Sequence, residues 1–243
     1  MRIFGLIGYP LTHSFSKKYF TEKFEREGLS DCLYENFPIV SIDKLKLVLQ
    51  QNPRLKGLNV TIPYKEDVIA VLNESGEIVK KIGACNCIKI VDGKLYGYNT
   101  DAIAFERSLI KELKSDNKKA LVLGTGGSAK AVKYVLEKLN IEHRNVSRKP
   151  SEQNLSYNQV TPSIISEYKL IINTTPLGMY PNVAVFPLIP YDAMTPEHFL
   201  FDLTYNPAKT LFLQKGEERG AGTKNGYEML VMQAEESWRI WNS

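Results

Sequence analysis

Cysteine is scarce in this sequence: Cys32, Cys85 and Cys87 are the only three in 243 residues. An odd count, in a chain with no visible secretory leader, predicts a reducing, cytoplasmic setting rather than a disulfide framework. Cys85 and Cys87 would share one face of a strand. Two thiols without a second pair, or histidines at ligand spacing, make a poor zinc site. They read as small buried hydrophobes, and no metal is expected. Long apolar runs are missing as well. Residues 1–8 are apolar, but Tyr9-Pro10 interrupts them, and nothing approaches the roughly 20 apolar residues of a spanning helix. No membrane association is expected. Strong charge of one sign is also absent. The formal net charge is +4, spread along the chain. That argues against nucleic acid as a partner and suits a small anionic ligand. Internal repeats and low-complexity tracts do not occur.

What is present is a globular composition, 43% hydrophobic and 24% charged. Residues 3–8 predict a buried strand, and 16–28 a helix with Tyr19, Phe20 and Phe24 on one face. Residues 33–40 predict a second strand. Ser41 would cap a helix carrying Leu45, Val48 and Leu49. Residues 57–62 read as a third strand, after which Pro63 would open a helix with Val68, Val71 and Leu72. Asp92-Gly93, between strands at 86–91 and 94–98, is a two-residue hairpin signal. Thr100 would cap a helix through Phe105 and Leu109, and residues 114–119 read as a polar loop. Further strands are expected at 120–123, 141–147, 170–173 and 199–203. Residues 216–225 read as a loop before a last helix at about 226–241. Strands alternating with helices predict an α/β fold with parallel sheets.

The segment Leu123-Gly124-Thr125-Gly126-Gly127-Ser128-Ala129 follows a buried strand and opens an amphipathic helix with Ala129, Val132, Leu136 and Leu139 on one face. That context suits a dinucleotide. Glycines let the backbone turn and approach a pyrophosphate, and the helix start faces the anion. A bare glycine pattern is a weak signal; its placement between strand and helix strengthens it. NAD sites usually place Asp or Glu at the end of the next strand. Here that position reads Ser147-Arg148-Lys149. A carboxylate would repel a 2′-phosphate, whereas Arg148 can clamp one and Lys149 adds charge. The expected cofactor is therefore NADP.

Three segments carry polar side chains that folding alone does not require. Ser14 and Ser16 flank Phe15 at a helix start, where they could cap or bind a carboxylate. Asn59 and Thr61 alternate with Val60 and Ile62, and Lys65 follows. Asn86 stands between the two cysteines, ahead of Asn99-Thr100-Asp101. Each has a bland reading as cap or turn.

Together these segments resemble the successive signatures of the shikimate dehydrogenase family. Gly8-Tyr9-Pro10 through Ser16, residues 59–65, Gly83-Ala84-Cys85-Asn86 and Gly97-Tyr98-Asn99-Thr100-Asp101 come first. The glycine turn, Asn173 through Met179, Asp202-Leu203-Thr204-Tyr205-Asn206-Pro207, and Gly226 through Gln233-Ala234 follow in the family's order. The resemblance implies hydride transfer between NADP and a ring-shaped hydroxy acid, interconverting shikimate and 3-dehydroshikimate in aromatic amino acid biosynthesis. It implies Lys65 and Asp101 as the catalytic pair, and Ser14 and Ser16 on the substrate carboxylate. Asn59, Thr61, Asn86 and Gln233 would hold ring hydroxyls, with Tyr205 lining the pocket. Gly124, Gly126, Gly127 and Ser128 would carry the pyrophosphate, and Ser147, Arg148 and Lys149 the adenosine phosphate. Thr174, Met179 and Gly226 would lie along the rest of the cofactor.

The chain departs from the family at Cys87, where Thr is usual, and at Ser147, where Asn commonly precedes the Arg. Two domains are expected. Residues 1–101 with 224–243 would form an α/β substrate domain with a mostly parallel sheet, and residues 102–223 a Rossmann-like NADP domain. The protein would be a monomer or homodimer. A quinate-oxidising sister enzyme, a methyltransferase and a non-enzymatic NADP sensor remain alternatives. The basic residues after the second strand count against the methyltransferase.

Overall fold

The computed structural model describes residues 1–243 apart from 12–14, 115–116, 150 and 153. The chain divides into two compact units, Met1–Thr100 with Gln233–Ser243, and Asp101–Met232. Asp101 and residues 224–232, expected with the first unit, group with the second.

In the first unit, strands β1 (Arg2–Gly8), β2 (Cys32–Pro38), β3 (Leu55–Val60), β4 (Glu74–Ser75), β5 (Cys87–Val91) and β6 (Lys94–Tyr98) form one sheet. Its order is β2-β1-β3-β5-β6-β4. β1 runs parallel to β2 and β3, while β3, β5 and β6 are antiparallel in turn. The β5–β6 hairpin turns at Asp92 and Gly93, both with positive φ, as a two-residue turn requires. Helix α1 (Phe15–Arg26) buries Phe20 and Phe24, one turn apart, against β1. Its Lys23 is buried between Glu27 and Glu235, 2.8 Å from each. Helices α2 (Leu45–Gln51) and α3 (Glu77–Ile82) are short.

Two sequence expectations fail in this unit. Pro63 opens no α-helix; a single 3-10 turn at Asp67–Val71 follows, burying only Val68. Ser41 makes no capping bond, because a 3-10 turn at Ile42–Lys44 precedes α2 and the Ser41 hydroxyl faces Asp43 instead.

The second unit contains helix α4 (Thr100–Ile110) after its first residue, and then strands β7 (Lys119–Leu123), β8 (Glu142–Val146), β9 (Asn154–Leu155), β10 (Leu170–Asn173), β11 (Phe199–Asp202) and β12 (Gly222–Lys224). They form a parallel sheet in the order β12-β11-β10-β7-β8-β9. Read from β9, this is the doubly wound order 3-2-1-4-5-6 of dinucleotide-binding sheets. Helices α5 (Gly127–Lys138), α6 (Pro162–Glu167) and α7 (Leu211–Glu217) complete it. Leu121, Leu123, Ile171, Leu200 and Phe212 form its core. The expected loop at 216–225 holds the end of α7 and all of β12.

The last helix, α8 (Tyr227–Trp241), crosses the division between units. Its C-terminal part belongs to the first unit. Trp241 stacks on Phe4 and donates its indole N–H to the Ile88 carbonyl at 3.0 Å. Burying such side chains contributes about 1.5–3 kcal/mol each.

Candidate active site

In the first unit the polar residues converge on Asn86, just ahead of β5. Its backbone is tied into the sheet: Asn86 N donates to Tyr98, and its carbonyl accepts from Val60. Its side chain is 3% exposed and grips Thr100 from both ends. Thr100 N donates to Asn86 Oδ1 at 2.7 Å, and Asn86 Nδ2 donates to Thr100 Oγ1 at 3.0 Å. Thr100 is therefore the first residue of α4, anchored sideways, rather than a conventional cap.

Asp101 follows Thr100 directly, nearly buried, in the first helical turn where a carboxylate is favoured. Lys65 is half-buried, and its carbonyl accepts the Cys85 N–H at 2.7 Å. Lys65 is thus tied to Cys85 by one backbone hydrogen bond, and Asp101 follows the residue that Asn86 holds by two.

Asn59 is held from several sides. A ring hydroxyl is its expected partner, but its amide is committed within the protein. Tyr34 donates to Oδ1 at 2.8 Å, while Nδ2 faces Ser237 Oγ at 2.9 Å and the Asn86 carbonyl at 3.4 Å. The side chain is 4% exposed. Both ends of this buried amide are thereby satisfied within the first unit. Burial drives the Tyr34 phenol well above its ordinary range, and a hydrogen bond with Ser16 opposes that rise. Ser16 and Thr61 are half-buried, and Gln233 is nearly buried. Ser14 lies outside the described residues.

In the second unit the glycine turn leaves β7 beside β10, at the point where strand order reverses. Gly124 has φ +116°, and a Cβ there would sit 2.5 Å from Thr174 Oγ1. Thr174 donates N–H and hydroxyl to the Leu123 carbonyl, at 2.9 and 2.7 Å. Asn145 on β8 donates to the Gly124 carbonyl at 2.8 Å. The turn is therefore held on both sides. Gly126 differs: its φ is −78°, and a Cβ there would meet nothing within 4 Å. Nothing in the fold demands a glycine at 126, whereas close approach of a pyrophosphate would. Gly127 and Ser128 open α5, and its N-cap, Gly126, has no side chain to cap it. The residues present fit a dinucleotide phosphate.

Past β8, Ser147 accepts the Lys149 N–H at 3.1 Å and shapes the turn, leaving Arg148 and Lys149 exposed. Among the described residues no carboxylate pairs with Arg148.

The ends of β10 and β11 share one buried acid. Asp202, wholly inaccessible, accepts from Asn173 Nδ2 at 3.1 Å, Thr204 N at 3.0 Å and Thr210 Oγ1 at 2.6 Å. Burial pushes its pKa up to about 6, against these hydrogen bonds. Asn173 in turn accepts from the Thr175 N–H and hydroxyl. This cluster braces the segments that carry Thr174, exposed Met179 and half-buried Tyr205. Gly226 is demanded by packing: a Cβ would lie 2.1 Å from the Leu203 carbonyl, and its N–H goes to Thr204. Its expected contact with a cofactor is not needed to account for the glycine.

Sequence reasoning missed Tyr34, Ser237 and Asp202. Tyr34 and Ser237 carry no spacing signal and lie among core residues. Asp202 sat in a recognised motif but at a strand end, where an acid reads as a turn residue.

A family model, the shikimate dehydrogenase substrate binding domain, matches residues 6–88. The curated shikimate dehydrogenase (NADP(+)) of Caldicellulosiruptor saccharolyticus is 36% identical over 259 residues, covering 99% of this chain and 92% of that protein. A solved shikimate dehydrogenase in complex with NADP+ is 32% identical, with a TM-score of 0.85 over 99% of this chain and 90% of that one. The shikimate 5-dehydrogenase of Thermus thermophilus, solved with NADP(H) and shikimate, is 29% identical. Its TM-score is 0.87 over 99% of this chain and 93% of that one. With this extent of identity along nearly its whole length, the chain belongs to the shikimate dehydrogenase family.

Proposed function

We propose that this protein is an NADP-dependent shikimate dehydrogenase, interconverting shikimate and 3-dehydroshikimate in aromatic amino acid biosynthesis. The observation that carries the reading is Gly126: an open glycine at a helix start, in a 3-2-1-4-5-6 sheet, followed by the acid-free Arg148. Membership of the family supports it. The cofactor supplies or accepts the hydride at the ring carbon.

The protein's own residues handle alignment and the proton. Lys65 Nζ gives a proton to the substrate oxygen during ketone reduction and takes it back during alcohol oxidation. Asp101 holds Lys65 and shares hydrogen bonds with the same hydroxyl. Asn86 offers an amide N–H to a ring oxygen, and Thr61, Gln233 and Tyr205 complete the substrate's surroundings. Ser14 and Ser16 take the carboxylate. Gly124, Gly126, Gly127 and Ser128 receive the pyrophosphate; Arg148 and Lys149 bind the 2′-phosphate, with Ser147 shaping their turn. Thr174 and Met179 line the nicotinamide end. No metal takes part. Residues 1–101 with 224–243 serve the substrate, and 102–223 the cofactor. The protein acts in the cytoplasm, as monomer or homodimer; among the described residues no helix is long and apolar enough to cross a membrane.

Turnover followed at the nicotinamide absorbance tests the reading, with shikimate or quinate and NADP or NAD in all four pairings. Shikimate with NADP is expected to give the highest kcat/KM. Preference for quinate, or equal use of NAD, would overturn the corresponding half.

A further inference from the structure

Ser237 lies on the part of α8 that belongs to the first unit, and it is fully buried. Its proton is committed: Oγ donates to the Gln233 carbonyl, one turn back, at 2.8 Å. Toward its other neighbours it can only accept. Asn59 Nδ2 donates to it at 2.9 Å, and Thr100 Oγ1 lies 3.4 Å away.

Thr100 has one hydroxyl proton and two acceptors within reach, Ser237 Oγ and Asn86 Oδ1, the latter at 3.3 Å. Asn86 Oδ1 already takes the Thr100 N–H, and the same amide already points Nδ2 at Thr100 Oγ1. A proton aimed back at that amide would crowd the incoming N–H, so Ser237 is the better acceptor. The donors therefore run one way: Asn86 to Thr100, Thr100 to Ser237, Ser237 to Gln233. The Thr100 N–H fixes which end of the Asn86 amide is oxygen. One Nδ2 hydrogen then goes to Thr100, and one is left.

We propose that Ser237 is a positioning residue for the reaction. By holding the Thr100 hydroxyl as an acceptor, it keeps the Asn86 amide in one plane and directs its remaining N–H at an oxygen of the ring substrate. This rests on the shikimate dehydrogenase reading and deepens it, since Ser237 touches neither substrate nor cofactor.

The test compares full-length wild type, Ser237→Ala, Thr100→Val and the double variant. Thr100→Val removes only the hydroxyl and keeps the N–H to Asn86. Three quantities are measured: kcat and KM for shikimate, the Kd for NADP, and proton exchange of the Asn86 side-chain amide by isotope-edited NMR. Each single variant is expected to raise the shikimate KM about tenfold, the scale of one lost hydrogen bond, with NADP affinity unchanged. Asn86 amide exchange should quicken, and the double variant should be no worse than either single one. Wild-type KM and unchanged Asn86 exchange in Ser237→Ala would overturn the proposal. So would parallel losses of KM, NADP affinity and melting temperature, the signature of general loosening. Should Ser237→Ala not fold, Thr100→Val decides the same question. Failure of the wild type to oxidise shikimate would sink the functional reading instead, and Asn86 exchange would still decide the network.

Discussion

Asn86 holds Thr100 by two hydrogen bonds of opposite sense, one to its backbone N–H and one from its own amide to the hydroxyl. Both side chains are buried within the first unit. Asn86→Ala leaves the Thr100 N–H without a partner and removes the donor to its hydroxyl. A buried polar group left unpaired costs about 1–3 kcal/mol. Urea unfolding of Asn86→Ala should show a loss of that size, together with a raised shikimate KM. Wild-type stability would mean the pair contributes little.

Lys65→Ala should keep the fold and the NADP affinity while losing at least ~10²-fold in turnover, the low end for acid–base groups. The Lys65 carbonyl, which the substitution leaves in place, still accepts the Cys85 N–H. Circular dichroism, NADP titration and steady-state kinetics check the three parts. Near-normal turnover would rule out the proton role.

Arg148→Ala should weaken NADP selectively. A bidentate contact to phosphate contributes about 1.5–3 kcal/mol, so the KM for NADP should rise ~10–100-fold, while that for NAD barely moves. Equal loss with both cofactors would place Arg148 away from the 2′-phosphate.

Asp202 makes stability depend on pH in a direction opposite to most carboxylates. Its pKa of about 6 in the folded protein lies above the ordinary 3.8, so the native state holds the proton over a window where the unfolded chain has lost it. The contribution of this group to stability is complete below about pH 4 and is lost as pH rises to about 6. At about 1.4 kcal/mol per pH unit the total is ~3 kcal/mol at most. Unfolding free energies measured between pH 4 and 7 should therefore carry a falling component that Asp202→Asn removes. An identical pH profile in the variant would contradict this assignment.

Much of this was legible in the sequence, for reasons that are local. The Asp92-Gly93 hairpin, the strand before Gly124 and the amphipathic α5 are set by turn chemistry and hydrophobic period, which neighbouring residues determine. The parallel sheet of the second unit followed from strands alternating with helices; its strand order did not. What stayed hidden depends on distant partners. The alternation around Asn59 did signal a polar strand face. The groups it meets, Tyr34 and Ser237, come from β2 and from α8 at the far end of the chain. The end of α7 and all of β12, with Gly216 and Gly222, read as a loop. A Cβ at 216 would strike Leu200 at 2.4 Å, and one at 222 would meet Phe199 at 2.9 Å, so these glycines serve close packing rather than turns. The segment after Pro63 has helical spacing, but its 3-10 turn at Asp67–Val71 buries only Val68, too little to hold a longer helix.

Everything proposed for the chemistry requires an ammonium and a carboxylate from distant positions to serve one oxygen. A crystal structure of the ternary complex with shikimate and NADP measures this directly. The expected result has Lys65 Nζ and an Asp101 carboxylate oxygen both within hydrogen-bond distance of the same ring hydroxyl, whose carbon faces the nicotinamide. A complex in which either side chain reaches no substrate oxygen would contradict it.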